Sequence, residues 1–260
     1  ESLNNNTGTI ALLSSGGING GSGTVLMRAA NYAFGGADRT ITTTGVLTIE
    51  PDADENSFAS SFDNQYLNPV SVTGLTLGKS SNASAITLSR AISLSGPVSI
   101  YGGSIDVNAN ITANSGNILL DADTGSTLNQ SSTGILLDDA ITIETVTSGN
   151  LTLIGRSGDT GSGFDGIDAS SANTTTLRSA GNLTLQGYSY AASGSGRGVD
   201  LNNDVIAASG TVSMTGQHNT GATYALSLSG STSITAGTGV TLESLNNNTG
   251  TIALLSSGGI

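Results

Sequence analysis

The sequence predicts an all-β chain wound as a parallel β-helix, a β-solenoid assembled from repeats. Three observations carry that expectation. Ile, Leu and Val alternate with polar residues, as in Val46-Leu-Thr-Ile49, Val98-Ser-Ile100, Leu183-Thr-Leu185 and Val212-Ser-Met214. This is the period-two signature of strands with one buried face, and no stretch sustains a 3.6-residue period. A strand motif of small residue, Gly, then alternation returns along the chain, three times in the form G-N-[IL]-x-L. Finally, aromatic residues make up only 4% of the chain and Trp is absent, which leaves little to fill the two-sheet core of an immunoglobulin-like sandwich, the rival all-β architecture.

The motif can be followed in order. Gly96-Pro-Val-Ser-Ile-Tyr-Gly102 and Ser115-Gly116-Asn-Ile-Leu-Leu120 come first, their glycines 20 residues apart. Ser148-Gly149-Asn-Leu-Thr-Leu153, Ala180-Gly181-Asn-Leu-Thr-Leu185, Ser209-Gly210-Thr-Val-Ser-Met214 and Thr238-Gly239-Val-Thr-Leu242 follow, at glycine spacings of 32, 29 and 29. One such unit has room for three short strands, at 182–186, 198–201 and 205–207, joined by Gly, Ser and Asn turns that tolerate left-handed backbone. A single unit cannot bury its apolar row. Stacked units enclose a continuous column of Val, Ile and Leu and pair each backbone with the coil above or below. Runs such as Asn4-Asn5-Asn6 are placed to form amide ladders along such a column.

A longer repeat lies over the short one. Residues 1–18, ESLNNNTGTIALLSSGGI, return letter for letter as residues 243–260. Residues 1–242 therefore read as one period of a tandem array, and 243–260 as the start of the next identical copy. Glu1 falls inside a segment whose fuller form is Gly239-Val-Thr-Leu-Glu-Ser244, as expected for a piece taken from a repeating chain. Coils of 20 to 32 residues would give roughly 8 to 11 coils per period and a rise of roughly 40 to 50 Å.

Composition narrows the class of function. Charged residues are 10% of the chain and the formal net charge is −12, so a nucleic-acid or anionic-membrane partner would be repelled. With no Cys, neither disulfides nor thiolate metal sites hold the chain together. No apolar run reaches the roughly 18 to 20 residues of a membrane span, so direct membrane insertion by this segment is not expected.

The run Gly74-Leu-Thr-Leu-Gly78, the run from Ala85 through Ser104-Ile-Asp-Val107 to Ala113, and the S-G-N-[IL]-x-L strands resemble the repeat regions of filamentous-haemagglutinin-type bacterial surface proteins. The resemblance is one of repeat style over nearly the whole chain, with no catalytic motif in it. It implies a right-handed β-helix, exported and attached to the cell surface, serving as a stiff fibre or adhesin. Its partners would be adjacent identical repeats in the same chain, neighbouring fibres or surface carbohydrate.

Candidate chemistry is sparse. An acidic β-helix can also be a polysaccharide-cleaving enzyme, and Asp121 and Asp123, two apart on a strand, have a spacing compatible with a carboxylate pair. The other acidic groupings are Asp52-Ala-Asp54-Glu55, Asp138-Asp139 and Asp165-Gly-Ile-Asp168, and all four read best as solvated turn carboxylates. Gly161-Ser-Gly163-Phe-Asp165-Gly-Ile-Asp168 resembles the G-G-x-G-x-D-x-U-x calcium repeat, but it lacks the first Gly pair and occurs once. No metal site, cofactor or catalytic residue is therefore expected. His218 reads as a lone solvated side chain. The aromatic concentrations are Phe58, Phe62 and Tyr66, within a stretch at 51–69 that lacks a strand pattern, and Tyr188 with Tyr190. These five form the expected recognition surface, the alternative for the first three being a side loop that covers the column. The expectation overall is a non-enzymatic structural repeat, with a carbohydrate-binding module as the main alternative.

Overall fold

Each coil of the chain contributes a short strand to each of three faces, because each coil carries three alternating segments separated by turn residues. The computed structural model describes residues 8–13, 17–52, 55–122, 132–138, 140–160, 162–169, 172–218, 224–245 and 250–255. Among these there is no helix, and every strand pairing is parallel. The first face is a nine-stranded sheet running from Val25–Arg28 to Gly239–Ser244. The second has eight strands, from Phe62–Asp63 to Thr251–Leu254, with the pair Thr9–Ala11 and Asn31–Ala33 as a separate two-stranded sheet. The third has six, from Ile92–Leu94 to Ser233–Ala236, and a separate three-stranded group, Ile18–Asn19, Arg39–Thr42 and Leu67–Val70. This is the parallel β-solenoid that the alternation predicts.

Register follows from burial. On the first face Leu47, Leu75, Val98, Ile118, Leu151, Leu183, Val212 and Val240 stack in one column. On the second, Ile86, Ile105, Ile135, Ile167, Val199, Leu226 and Ile252 do the same. Most of these side chains are fully buried, each worth about 1.5 to 3 kcal/mol of transfer free energy. The same logic corrects the spacing read from the glycines. Gly239 does not align with Gly210; it pairs with Thr211, and Val212 meets Val240. Aligning glycine with glycine would set Val212 against Thr241 and Met214 against Glu243, turning the apolar set of one strand outward.

The glycine and asparagine of the G-N-[IL]-x-L motif hold the corner before the first face. Gly149 has φ of +112°, a conformation open to glycine, and a Cβ there would meet Gly116 O at 2.0 Å. Asn117 Oδ1 accepts the Asn150 N–H at 2.9 Å, Asn150 Oδ1 accepts the Asn182 N–H at 2.8 Å, and Asn182 Oδ1 accepts the Thr211 N–H at 2.9 Å. These bonds join each asparagine side chain to the backbone of the next coil, whereas Asn4-Asn5-Asn6, the run placed for a ladder of stacked amides, lies outside the described residues.

The regular stack is interrupted where the sequence lost its pattern. Asn31–Ala33 and Phe62–Asp63 are not in one sheet, and Tyr32, Phe34, Phe58 and Phe62 fill the gap with ring centroids 5.5 to 6.0 Å apart. On the third face, Leu67–Val70 carries Pro69 and ends its three-stranded group. A proline has no N–H to donate, which confines its strand to an edge.

Candidate functional site

On the corner between the first and second faces, successive coils are pinched at narrow glycine necks. Gly155 with Gly166, and Gly187 with Gly198, close the first two. A Cβ on Gly155 would lie 2.0 Å from Gly166 O, and one on Gly187 would lie 1.9 Å from Gly198 O. Only bare backbone permits that approach. At Gly216 the contact is with Ala225 O, 2.2 Å from a Cβ.

The loops outside the necks stack as the strands do. Ser157 N–H donates to Tyr188 O at 2.9 Å, Ser189 N–H to Gln217 O at 2.8 Å, and Gly163 N–H to Ser193 O at 2.9 Å. Ser189 Oγ donates to Phe164 O at 2.7 Å. Several groups that the sequence places in solvent are buried. His218 is only 6% exposed, so it is not a solvated side chain. Asp52, Asp121 and Asp165 are likewise buried, against the reading of their groups as solvated turn carboxylates.

Asp165, Asp168 and Asp200 converge beneath these loops, with one carboxylate oxygen from each within 4.8 Å of the others. Asp168 and Asp200 sit in register on adjacent strands of the second face, Ile167–Ala169 and Val199–Asn202. Asp165 is the last residue before the neck at Gly166, and its Oδ1 accepts the Arg197 N–H at 2.5 Å. The Arg197 guanidinium pairs with Asp200 Oδ2. Asp200 Oδ1 is buried and makes no hydrogen bond; the Ser227 hydroxyl favours the charged carboxylate without reaching Oδ1 in hydrogen-bond geometry.

Burial pushes the Asp165 carboxyl up to about 7; the Arg197 N–H opposes this, and the like charges of Asp168 and Asp200 add to it. Burial also raises Asp200, against the Ser227 hydroxyl and Arg197. One coil corner further on, fully buried Asp204 accepts N–H groups from Thr175 at 3.0 Å and Asn202 at 2.9 Å, yet burial carries it to about 7 as well. Three carboxylates and one guanidinium, with Asp165 and Asp200 buried and Asp168 half-buried, are an unbalanced set, which favours protons or a cation.

The five aromatic residues expected to form a recognition surface do not come together. Phe58 and Phe62 are each 4% exposed and belong to the core, where with Tyr32 and Phe34 they line a small cavity between the two sheets. Both rings pack over the column at the sheet gap, as in the side-loop alternative for this stretch. Tyr66 is half-buried against the same core. Tyr188 and Tyr190 stack at 6.5 Å and 12°, half-buried, five strand spacings away, about 24 Å. The Arg156 guanidinium lies 5.6 Å from the Tyr188 ring centroid and pairs with Asp121 at 2.9 Å. Asp121 is thereby tied to a structural cation, and burial raises it despite Arg156. Its proposed catalytic companion Asp123 lies outside the described residues, as do Asp54 and Asp139.

Sequence reasoning missed Asp200, Arg197 and Asp204. A faint signal exists: Asp168 and Asp200 are 32 residues apart, the same interval that separates Leu151 from Leu183 on the first face.

These features define a three-sided parallel β-solenoid with stacked, glycine-necked loops on one corner. No known protein family, curated protein or solved structure matches the chain.

Proposed function

We propose that this chain is a structural, non-enzymatic segment of a long extracellular fibre or adhesin, of the filamentous-haemagglutinin kind its repeats resemble, in which a 242-residue period repeats without a break. The observation that carries the reading is that one strand sequence pairs on both of its edges. As Thr9–Ala11 it pairs with the following coil, Ile10 meeting Tyr32. As Thr251–Leu254 it pairs with the preceding coil, Leu226 meeting Ile252. Burial agrees: Ala253 is buried and its twin Ala11 exposed, while Leu254 is exposed and its twin Leu12 partly buried. Overlaying the two copies gives a strand with neighbours on both sides, and the apolar column runs through the junction.

Mechanical stiffness is then the function, since stacked coils set interstrand hydrogen bonds in series along the axis. A surface feature such as the Tyr188–Tyr190 pair would be presented once per period, so weak attachment to carbohydrate would gain by multivalency. Every third strand from Thr9–Ala11 to Thr251–Leu254 spans nine coils, an axial rise of about 42 to 44 Å. Electron microscopy of the native material should therefore show a continuous filament with that axial repeat. Discrete short particles would overturn the reading.

A further inference from the structure

We propose that Asp165, Asp168 and Asp200 bind one divalent cation, calcium by the chemistry of the ligands, at the root of the stacked loops 156–165 and 188–197. The inference is independent of the fibre reading.

Geometry comes first. Calcium takes carboxylate oxygens at about 2.3 to 2.6 Å, so two ligands on opposite sides of one ion stand about 5 Å apart. Three oxygens that all lie within 4.8 Å of one another fit around a single ion. An acidic cluster alone would not identify a ligand, because carboxylates gather on many surfaces. Here Asp165 and Asp200 are buried, and Asp200 Oδ1, on a residue 3% exposed, has no hydrogen-bond partner although Oδ2 pairs with Arg197. A buried charged oxygen left unpaired is costly, and a cation is the partner that removes the cost.

Charge gives the valence. Three carboxylates carry −3, and Arg197, already held by Asp200 Oδ2 and by its own N–H to Asp165, supplies +1. A divalent ion offsets the excess of carboxylates over guanidinium more fully than a monovalent one, without displacing Arg197. The donor set is oxygen only, which selects hard cations over zinc or copper. The three carboxylates come from two strands and a loop, an irregular arrangement that suits the flexible coordination of calcium better than the octahedron demanded by magnesium. Asp168 is half-buried, so water can complete the shell and the ion has an entry path.

The ion would staple two coils and the inner ends of two loops, since Asp165 and Asp168 come from one coil and Asp200 from the next.

The test is calorimetric titration of the chelator-treated chain with calcium chloride, paired with thermal melting in calcium, in magnesium and in chelator. The expected result is one saturable site per chain and a melting point raised by calcium. Asp168→Asn with Asp200→Asn should weaken binding by about tenfold or more. Asp63→Asn with Asp106→Asn, in the same outward column further along the face, should leave it unchanged. Should the first double variant fail to fold by circular dichroism, Asp168→Asn alone, at a half-buried position, carries the same expectation. Absence of a saturable site, or binding that survives the Asp168 substitution undiminished, would overturn the proposal. Equal saturation by magnesium would overturn the assignment to calcium.

Discussion

Replacing Gly187 by alanine tests whether the loop necks are as tight as the backbone geometry requires. The added methyl would lie 1.9 Å from Gly198 O, 2.5 Å from Gly198 C and 2.7 Å from Val199 Cγ2. Ordinary contact begins at about 3.4 Å, so the facing backbone must retreat by about 1.5 Å in a close-packed column. Gly198 O accepts the Ile167 N–H at 2.9 Å, and Ile167 is fully buried, so retreat leaves that donor unsatisfied. Overpacking costs about 1 to 3 kcal/mol and the orphaned donor about 1 to 3 kcal/mol. The expected loss is therefore about 2 to 6 kcal/mol. Urea unfolding followed by far-ultraviolet circular dichroism gives the overall midpoint. Because a solenoid can lose coils locally, hydrogen exchange at the Ile167 and Val199 amides should be read alongside it. Gly36→Ala is the control: a Cβ there meets nothing within 4 Å and φ is not positive, so the change should stay within about 0.5 kcal/mol. Equal midpoints for the two variants, with unchanged exchange at Ile167, would refute the reasoning.

Two further outcomes follow from the same structure. Asn150→Ala removes the acceptor of the Asn182 N–H and should cost about 1 to 2 kcal/mol, with faster exchange at the Asn182 amide, whereas Asn150→Asp keeps the acceptor and should cost less. Asp165 and Asp204, both raised to about 7 from about 3.9 in an unfolded chain, hold protons in the native state that the unfolded state has released. Their contribution to stability is present below about pH 4 and is lost as pH rises through about 7. In chelator the melting point should accordingly be higher at pH 5 than at pH 8, and Asp204→Asn should flatten the difference; a melting point that climbs between those pH values would sink the assignment.

The legible part of the site was small, and the reason is geometric. The series Asn117, Asn150, Asn182 sits at fixed offsets before each strand, so a local motif announces it. Asp200 has no such local mark, and it meets Asp168 only because that coil is 32 residues long, while neighbouring coils on the first face run from 20 residues, Val98 to Ile118, to 33, Ile118 to Leu151. Without the coil length at each step, no spacing rule says which acidic residues stack. Burial of His218, Asp165 and Asp121 was equally hidden, because it is set by residues of other coils, as where Arg156 meets Asp121 and Arg197 meets Asp165. Phe58 and Phe62 look like a projecting loop on local pattern and are core because a sheet gap beside Tyr32 and Phe34 accepts them.

Strand character, the inward set of apolar residues and room for three strands per coil were determined by the sequence alone, since period-two alternation is a local property. Residue identity at the two ends also stood in the sequence, as the eighteen-residue match. The tertiary structure decided the register of each coil, the tight glycine necks, the inward turn of the aromatic rings and the meeting of three carboxylates. Those depend on contacts between residues about 20 to 35 positions apart, where loop length is free to vary at little cost in closure entropy and only packing against the next coil fixes the outcome.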